Sequence, residues 1–449
     1  MKRATFDLTV PGWAILIAVA ILFVMGVASV YVTDTHYTAG HDGPKNAMKQ
    51  CVFALVGLVV AVGVLKVGYQ RISEHAYAIF AIALLALIPL LAAKLLNSSF
   101  GGLTSPRNGA YRWIRLPGFQ FQPSEFMKVA YLLALAWYLR YRGNYRRFRG
   151  LLLPFVVSAV PLTLILLEPD LGTVLLLLPV LFAMLFMVGA KLKHLGIVIL
   201  IAVAATPFAW RRLKPYQRMR VTAVLLQSDT LRDAVINKPE AFKALARKRD
   251  AVEWAASSGY QLVHSKNAVG SGKLLGCGWG KGVYTTHSLL PDRHNDFVFS
   301  IIAHQWGFAG CILVLLCFTA IVIAGVRIAS VTTEPFGRLL AVGVVALVAT
   351  QVIINTGMAV GLMPITGMTL PFVSYGGSSL LTNFVAIALL VSVSQHRPFL
   401  LASKPFEFSR EHTEKVHLAE RAHTPPAEDD PDDRSCPTTL SVSPASSPS

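Results

Sequence analysis

Gly12–Val32 reads GWAILIAVAILFVMGVASVYV, an apolar run that meets no charge before Asp34. A helix needs about 20 mostly apolar residues to cross the hydrocarbon core of a bilayer, and this run supplies them. It follows Lys2 and Arg3 as a signal peptide would, but it is too long for a cleaved segment and more runs follow, so it reads as an anchor. Cys51–Leu65, Ala76–Ala93, Val129–Tyr138, Leu151–Leu167, Leu171–Ala190, Leu195–Trp210, Phe297–Val326, Leu339–Leu362 and Leu380–Val393 repeat the pattern, which makes ten candidate spans. Val129–Tyr138 is the weakest, spanning only if the polar Ser124–Lys128 forms its outer end. Composition agrees: of 449 residues, 54% are apolar and 14% charged, where a soluble protein carries roughly a quarter charged. The expected fold class is all-α, a polytopic membrane protein of about ten transmembrane helices.

With the N-terminus in the cytoplasm, the short loops divide their Lys and Arg fourteen inside to five outside. That bias fits the positive-inside rule. An even number of spans then returns the C-terminus to the cytoplasm and makes the long segment 211–295, between the seventh and eighth spans, external. The net charge of +17 is read as cytoplasmic loops and membrane lipid, not nucleic acid. Within the long loop, Glu240–Ala256 reads as a helix opened by Pro239, with Phe242, Leu245 and Val252 on one face. A solvated connector and an amphipathic helix lying on the membrane both remain open for it. The expected division is a membrane domain over 1–402 and a cytoplasmic tail over 403–449, whose Pro, Ser and Asp content predicts disorder. The five cysteines show neither paired nor metal-ligand spacing. No internal repeat is evident, which weighs against an inverted-repeat transporter.

Ionisable groups at membrane depth are costly and mark function by default. Four clusters fall at the outer face. The first is Arg112-Trp113-Ile114 followed by Gln122-Pro123-Ser124-Glu125-Phe126-Met127-Lys128. Pro123 and Ser124 mark a helix start, and Glu125 and Lys128, three apart, share a face and can pair. Either they form a structural ion pair or Lys128 joins Arg112 at an anion. The second cluster, Glu168-Pro169-Asp170-Leu171-Gly172-Thr173, sits in a tight turn; Asp170 is an N-cap or a ligand for a cation or sugar hydroxyl. In the third, Leu290-Pro291-Asp292-Arg293-His294-Asn295-Asp296-Phe297, Asp296 opens the eighth span either as an N-cap or as a general base whose pKa is raised at an apolar boundary. His294 assists it or bonds the loop. The fourth, Asn355–Ser379, includes Ser374-Tyr375-Gly376-Gly377-Ser378-Ser379 and is too rich in Gly, Pro and Ser for a regular helix. Irregular backbone at that depth lines a wet cavity or is buried in protein, and its amides and hydroxyls suit phosphate or sugar.

Two glycine patterns mislead. Gly270-Ser271-Gly272-Lys273 lacks the earlier Gly and the following Ser or Thr of a P-loop, having Asn267 and Leu274 there. Gly276-Cys277-Gly278-Trp279-Gly280-Lys281-Gly282 lacks the strand and helix of a dinucleotide site. Both read as flexible loop, whose amides could still approach a ligand.

A membrane enzyme acting outside the cell has no supply of ATP, so its substrate must carry its own activated bond. A lipid-linked sugar pyrophosphate does, and its tail, pyrophosphate and sugar match the apolar, basic and carboxylate groups above. The motifs Arg112-Trp113-Ile114, Gln122-Pro123-Ser124-Glu125, Pro169-Asp170-Leu171-Gly172-Thr173, His294-Asn295-Asp296-Phe297 and Leu370-Pro371-Phe372-Val373-Ser374-Tyr375-Gly376-Gly377-Ser378-Ser379 together resemble the motif set of the SEDS family, RodA and FtsW, from about Phe6 to Arg397. Thr366, where FtsW-type sequences tend to have Lys, leans toward the RodA branch, which implies a role in elongation and cell shape.

The resemblance implies an inverting peptidoglycan glycosyltransferase of the cytoplasmic (inner) membrane. It polymerises lipid II on the outer face beside a class B penicillin-binding protein transpeptidase. Asp296 matches the family's essential loop aspartate and would be the catalytic base. Arg112, Glu125, Lys128, Asp170, His294, Ser374, Tyr375, Gly376, Gly377 and Ser378 would bind substrate. No cofactor is required by the sequence, and a divalent cation, Mg or Mn, at Asp170 is an open option. The chain departs from the family in having Asn295 for a usual Thr, Asp292 for Glu, Tyr111 for Arg, His304-Gln305 for an acidic pair, and an expanded loop between about Asp229 and Ala256. Rival readings are a lipid II flippase, using His304, Gln305, Gln351, Asn355 and Asn383 as interior polar groups, and a non-catalytic scaffold that activates a transpeptidase.

Overall fold

The computed structural model describes residues 9–37, 45–96, 104, 111–116, 119–141, 144–212, 215–242, 246, 248–256, 259–287 and 289–395; the tail from 403 onward and Leu245 lie outside them. Every one of the ten apolar runs falls on a helix: α1 (Val10–Tyr37), α2 (Lys45–Val67), α3 (Ala76–Leu95), α4 (Pro123–Leu139), α5 (Phe148–Leu167), α6 (Leu171–Met187), α7 (Leu192–Arg212), α8 (Val298–Val331), α9 (Pro335–Ala359) and α10 (Gly377–Gln395). Among the described residues, seven of these (α1, α2, α3, α5, α8, α9 and α10) are long and apolar enough to cross a membrane. α4 and α6 are 17 residues each, about 25 Å long at 1.5 Å per residue. α4 is central, packed on α3, α6, α9 and α10 and buried along nearly its whole length. Protein rather than lipid surrounds it, which is how a short helix with a Glu and a Lys in its first turns is accommodated.

The helices alternate in direction. The side chain of Lys94 at the end of α3 reaches the carbonyl of Leu167 at the end of α5. Asp34 near the end of α1 accepts from the Asn46 and Ala47 amides at the start of α2, at 2.8 and 3.1 Å. Asn355 near the end of α9 donates 3.0 Å to the Asp296 carbonyl just ahead of α8. The ends of α1, α3, α5 and α9 thus meet the starts of α2 and α8 at one end of the bundle.

α8 is not the plain span the sequence predicts. Gly307 breaks it with φ 63° and ψ −155°, and the glycine loop that read as flexible fills the break. The Cys277 and Gly278 amides donate to the carbonyls of His304 and Gln305, at 2.9 and 3.1 Å, while the Phe308 and Ala309 amides donate to Lys273 and Leu274, at 2.9 and 3.1 Å. Backbone groups freed at the kink are thereby paired again, as burial demands. The fit needs glycine: a Cβ at Gly276, itself at φ +83°, would lie 2.1 Å from the Gln305 carbonyl oxygen.

Glu240–Ala256 is not one amphipathic helix either. Its described parts are the short helices Pro239–Phe242 and Lys248–Val252 and a 3-10 turn, Trp254–Ala256. Burial keeps one of the residues that periodicity marked and drops another: Ala246, Ala251 and Trp254 enter a small core with Leu226, Val235 and Leu262, Phe242 packs against it, and Val252 is 62% exposed. The Trp254 indole donates 2.9 Å to the Ala223 carbonyl, so Trp254 fixes the direction of this stretch.

Candidate active site

Ahead of α4, Ile114–Leu116 and Phe119–Phe121 form an antiparallel hairpin (β1 and β2) with Arg115 opposite Gln120. The sequence offered only the Pro117-Gly118 dipeptide as a signal for it. The hairpin is tied to the start of α10, since Ser378 Oγ donates 2.9 Å to the Gln120 carbonyl and accepts from the Gln122 amide at 3.1 Å. Pro123 opens α4 at its first position. Glu125 and Lys128 pair at 2.7 Å with the lysine buried, which is the ion-pair alternative. Arg112 reaches instead to the Glu168 and Pro169 carbonyls.

Asp170 caps α6: its carboxylate accepts from the Thr173 amide at 3.3 Å, and from the hydroxyls of Thr173 and Ser124 at 2.9 Å each. Those donors hold Asp170 as a cap, and no group of three His, Cys, Asp or Glu able to hold an ion occurs among the described residues. Beside Asp170, Glu168 is buried, with burial first and the Asp170 charge second pushing its carboxyl up to about 9. It is therefore a neutral acid near pH 7.

Asp296 is not a cap. The N-cap position of α8 belongs to Phe297, and no side chain caps that helix. The half-buried Asp296 carboxylate lies against Gly367, where a Cβ would stand 3.5 Å from Oδ2. Burial first, then the Asp292 charge, pushes its carboxyl up to about 7, with Arg220 and Arg112 pulling the other way. Burial also lowers the pKa of neighbouring His294. His294 serves the loop through its carbonyl, which accepts from the Tyr375 amide at 2.8 Å.

The irregular stretch before α10 is held by polar side chains of α9. Asn355 donates to Asp296 and to Met368 carbonyls, at 3.0 and 2.7 Å, and Gln351 donates 2.8 Å to that of Thr369. Ser374 closes a turn on the Leu370 amide at 2.7 Å. Because one Asn355 amide group joins the Asp296 loop to the irregular stretch 366–369, Asn355→Asp should remove the donor and place a carboxylate against two carbonyls. Loss of two bonds at about 1 kcal/mol each plus the unpaired buried groups should lower the melting temperature in detergent and cut activity at least tenfold; unchanged activity would show that Asn355 does not position Asp296.

These parts enclose a cavity of about 780 Å³. Of the residues predicted from sequence, Arg112, Glu125, Asp170, Asp296, Tyr375, Gly376, Gly377 and Ser378 line it; Lys128, His294 and Ser374 do not. Asn46, Lys49 and Arg220 line it without having been marked in the sequence, while Asp292 and Thr369 come from the third and fourth clusters. Lys49 follows the start of an apolar helix and reads as a flanking charge. Arg220 sits among many loop cations on the helix Pro215–Leu225, with nothing local to distinguish it until its guanidinium reaches the Thr366 carbonyl at 3.4 Å.

The family model described as a cell cycle protein, FtsW/RodA/SpoVE, matches residues 13–398. The chain is 33% identical to a probable peptidoglycan glycosyltransferase FtsW of Trichlorobacter lovleyi, over 87% of this chain and 95% of that one. It is 30% identical to the peptidoglycan glycosyltransferase MrdB of Escherichia coli K12, over 79% of this chain and 86% of that one. Among solved structures, a chain described under structural coordination of polymerization and crosslinking by a peptidoglycan synthase complex superimposes with a TM-score of 0.66 at 28% identity, over 85% of this chain and 97% of that one. Similarity to an FtsW at this level means that Thr366 does not favour an elongation role over division.

Proposed function

Since the chain belongs to the FtsW/RodA/SpoVE family and is a multi-pass membrane glycosyltransferase, we propose that it polymerises lipid II into glycan strands in this cavity, with Asp296 as general base. The observation that carries the reading is Asp296 itself: a carboxylate freed from capping, lining a cavity that also holds Lys49, Arg112 and Arg220, with a pKa of about 7. A base poised near the working pH is half ionised there and still accepts a proton readily. Asp296 takes the proton of the acceptor sugar's 4-hydroxyl. That oxygen forms a bond to the donor's anomeric carbon as the bond to undecaprenyl pyrophosphate breaks, and the configuration inverts. Arg112, Lys49 and Arg220 offset the charge that grows on the pyrophosphate. Glu125 is oriented by Lys128, and Tyr375 to Ser378 shape the sugar side.

The positive-inside bias supports an orientation with this end of the bundle on the outer face of the cytoplasmic membrane and both termini inside. A class B penicillin-binding protein is the proposed transpeptidase partner, in keeping with the peptidoglycan synthase complex among the similar structures. Four of the five interior polar groups that a flippase path would use are engaged in the packing: Gln351 and Asn355 hold loop carbonyls, Asn383 donates to Ser379 at 3.3 Å, and His304 bonds Ser271 at 2.7 Å; the fifth, Gln305, is buried with its side-chain amide unbonded. Purified protein with its partner should turn labelled lipid II into glycan polymer. Movement of lipid II across vesicles without polymer would establish the flippase instead, and stimulation of the transpeptidase alone would establish the scaffold.

The charges around Asp296 give a test of opposite sign. Removing a neighbouring anion lowers a carboxyl pKa and removing a cation raises it. Asp292→Asn should therefore move the rising limb of the pH–rate profile to lower pH, and Arg220→Ala should move it to higher pH. Shifts in the same direction would sink the assignment of that limb to Asp296.

A further inference from the structure

The loop spliced into α8 carries more than the splice requires. Leu274 and Leu275 are 71% and 82% exposed. Trp279, also exposed, stacks on Tyr31 of α1 with ring centroids 6.3 Å apart and planes 12° from parallel. Lys273 and Lys281 flank this apolar set, both exposed, and the alkyl stem of Lys281 lies over Gly278.

The level of the loop follows from α8. Val298 to Gln305, ahead of the break, are all buried, whereas Phe308, just beyond it, is 58% exposed and the exposed apolar face continues through Leu316. The lipid-facing surface of α8 therefore begins at Phe308, the residue whose amide bonds to Lys273. Leucines directed to hydrocarbon, a Trp–Tyr pair and lysines at that boundary match the chemistry of the membrane interface, where aromatic rings and long cationic side chains meet head groups.

We infer that the loop 273–281 is a phospholipid-binding site, in which Lys273 and Lys281 hold the phosphate of a bilayer lipid and Leu274, Leu275 and Trp279 contact its acyl chains. The same loop is hydrogen-bonded to both sides of the break in α8, so an occupied site braces Val298–Trp306, the segment that follows Asp296. The binding claim stands on the loop alone, and only its effect on rate rests on the glycosyltransferase reading.

The test uses the full chain in nanodiscs. In discs whose phosphatidylcholine carries brominated acyl chains, the tryptophan emission lost on Trp279→Phe substitution should be quenched at least twofold relative to unbrominated discs. In a second arm without lipid II, wild type in phosphatidylglycerol discs should retain a lipid through detergent extraction and native mass spectrometry. Lys273→Gln/Lys281→Gln should bind it roughly tenfold more weakly, given the attraction of each basic residue to anionic lipid, and Lys273→Arg/Lys281→Arg should restore binding, which guards against simple misfolding. Unquenched Trp279, or equal lipid retention by wild type and the Gln double variant, overturns the site. Loss of polymerisation with lipid binding intact would count against the catalytic reading and leave the lipid site standing.

Discussion

Asp296→Asn should reduce kcat for lipid II polymerisation by about 10²–10⁴, the usual contribution of a positioned base, while lipid II still binds, because the amide fills the same volume. Wild-type activity should rise with pH through about 7, since only the ionised carboxylate accepts the proton, and the residual activity of Asp296→Asn should lack that limb. Stability supplies an independent sign. The folded pKa is raised above the ordinary carboxylate value by burial, so the native state is favoured while Asp296 is protonated. That advantage is complete below the ordinary value and disappears as pH climbs through about 7. Asp296→Asn should thus be no less stable than wild type at pH 5 and more stable at pH 8, measured by thermal unfolding in detergent. Normal polymer from a well-folded Asp296→Asn would remove Asp296 from the chemistry. A variant that is inactive and also less stable at pH 8 would point to a structural role instead.

The second large effect concerns the splice in α8. In Gly276→Ala the new methyl carbon would stand 2.1 Å from the Gln305 carbonyl oxygen, at a backbone φ of +83° that L side chains resist. The loop must back out, and the bonds from Cys277 and Gly278 go with it. Overpacking and lost backbone pairing together should cost about 3 kcal/mol. Polymerisation should fall in parallel, because the displaced carbonyls belong to the segment that follows Asp296. Gly270→Ala is the matched control: nothing lies within 4 Å of the Cβ built there, and Ala is the better helix former. Gly270→Ala should keep its activity and melt no lower than wild type. Equal behaviour of the two variants would mean that the loop does not brace the helix.

Much of the molecule follows from residue order alone, because bilayer thickness converts apolar run length into helices with few alternatives. The ten runs, the Pro123 start of α4, the Glu125–Lys128 pair and the Asp170 cap all depend on contacts within a few residues of one another, and local spacing is enough to find them. Long-range placement behaves differently. Asp296 looked equally like a cap until the fold gave it Gly367 as a neighbour and Asn355 as a tether for its backbone, and Arg220 became a lining residue only when the helix Pro215–Leu225 crossed to Thr366. The glycine at 276 read as slack, and the one at 307 as part of a plain apolar run, because sequence does not show the carbonyl or loop that another segment will press against them. Periodicity marked Phe242 and Val252 as one apolar face, yet only Phe242 packs on the small core beside Trp254, while Val252 is left exposed. Apolar length is a property of one segment, whereas cavity walls and a threaded helix break are properties of pairs of segments, and those pairs exist only once the chain has packed.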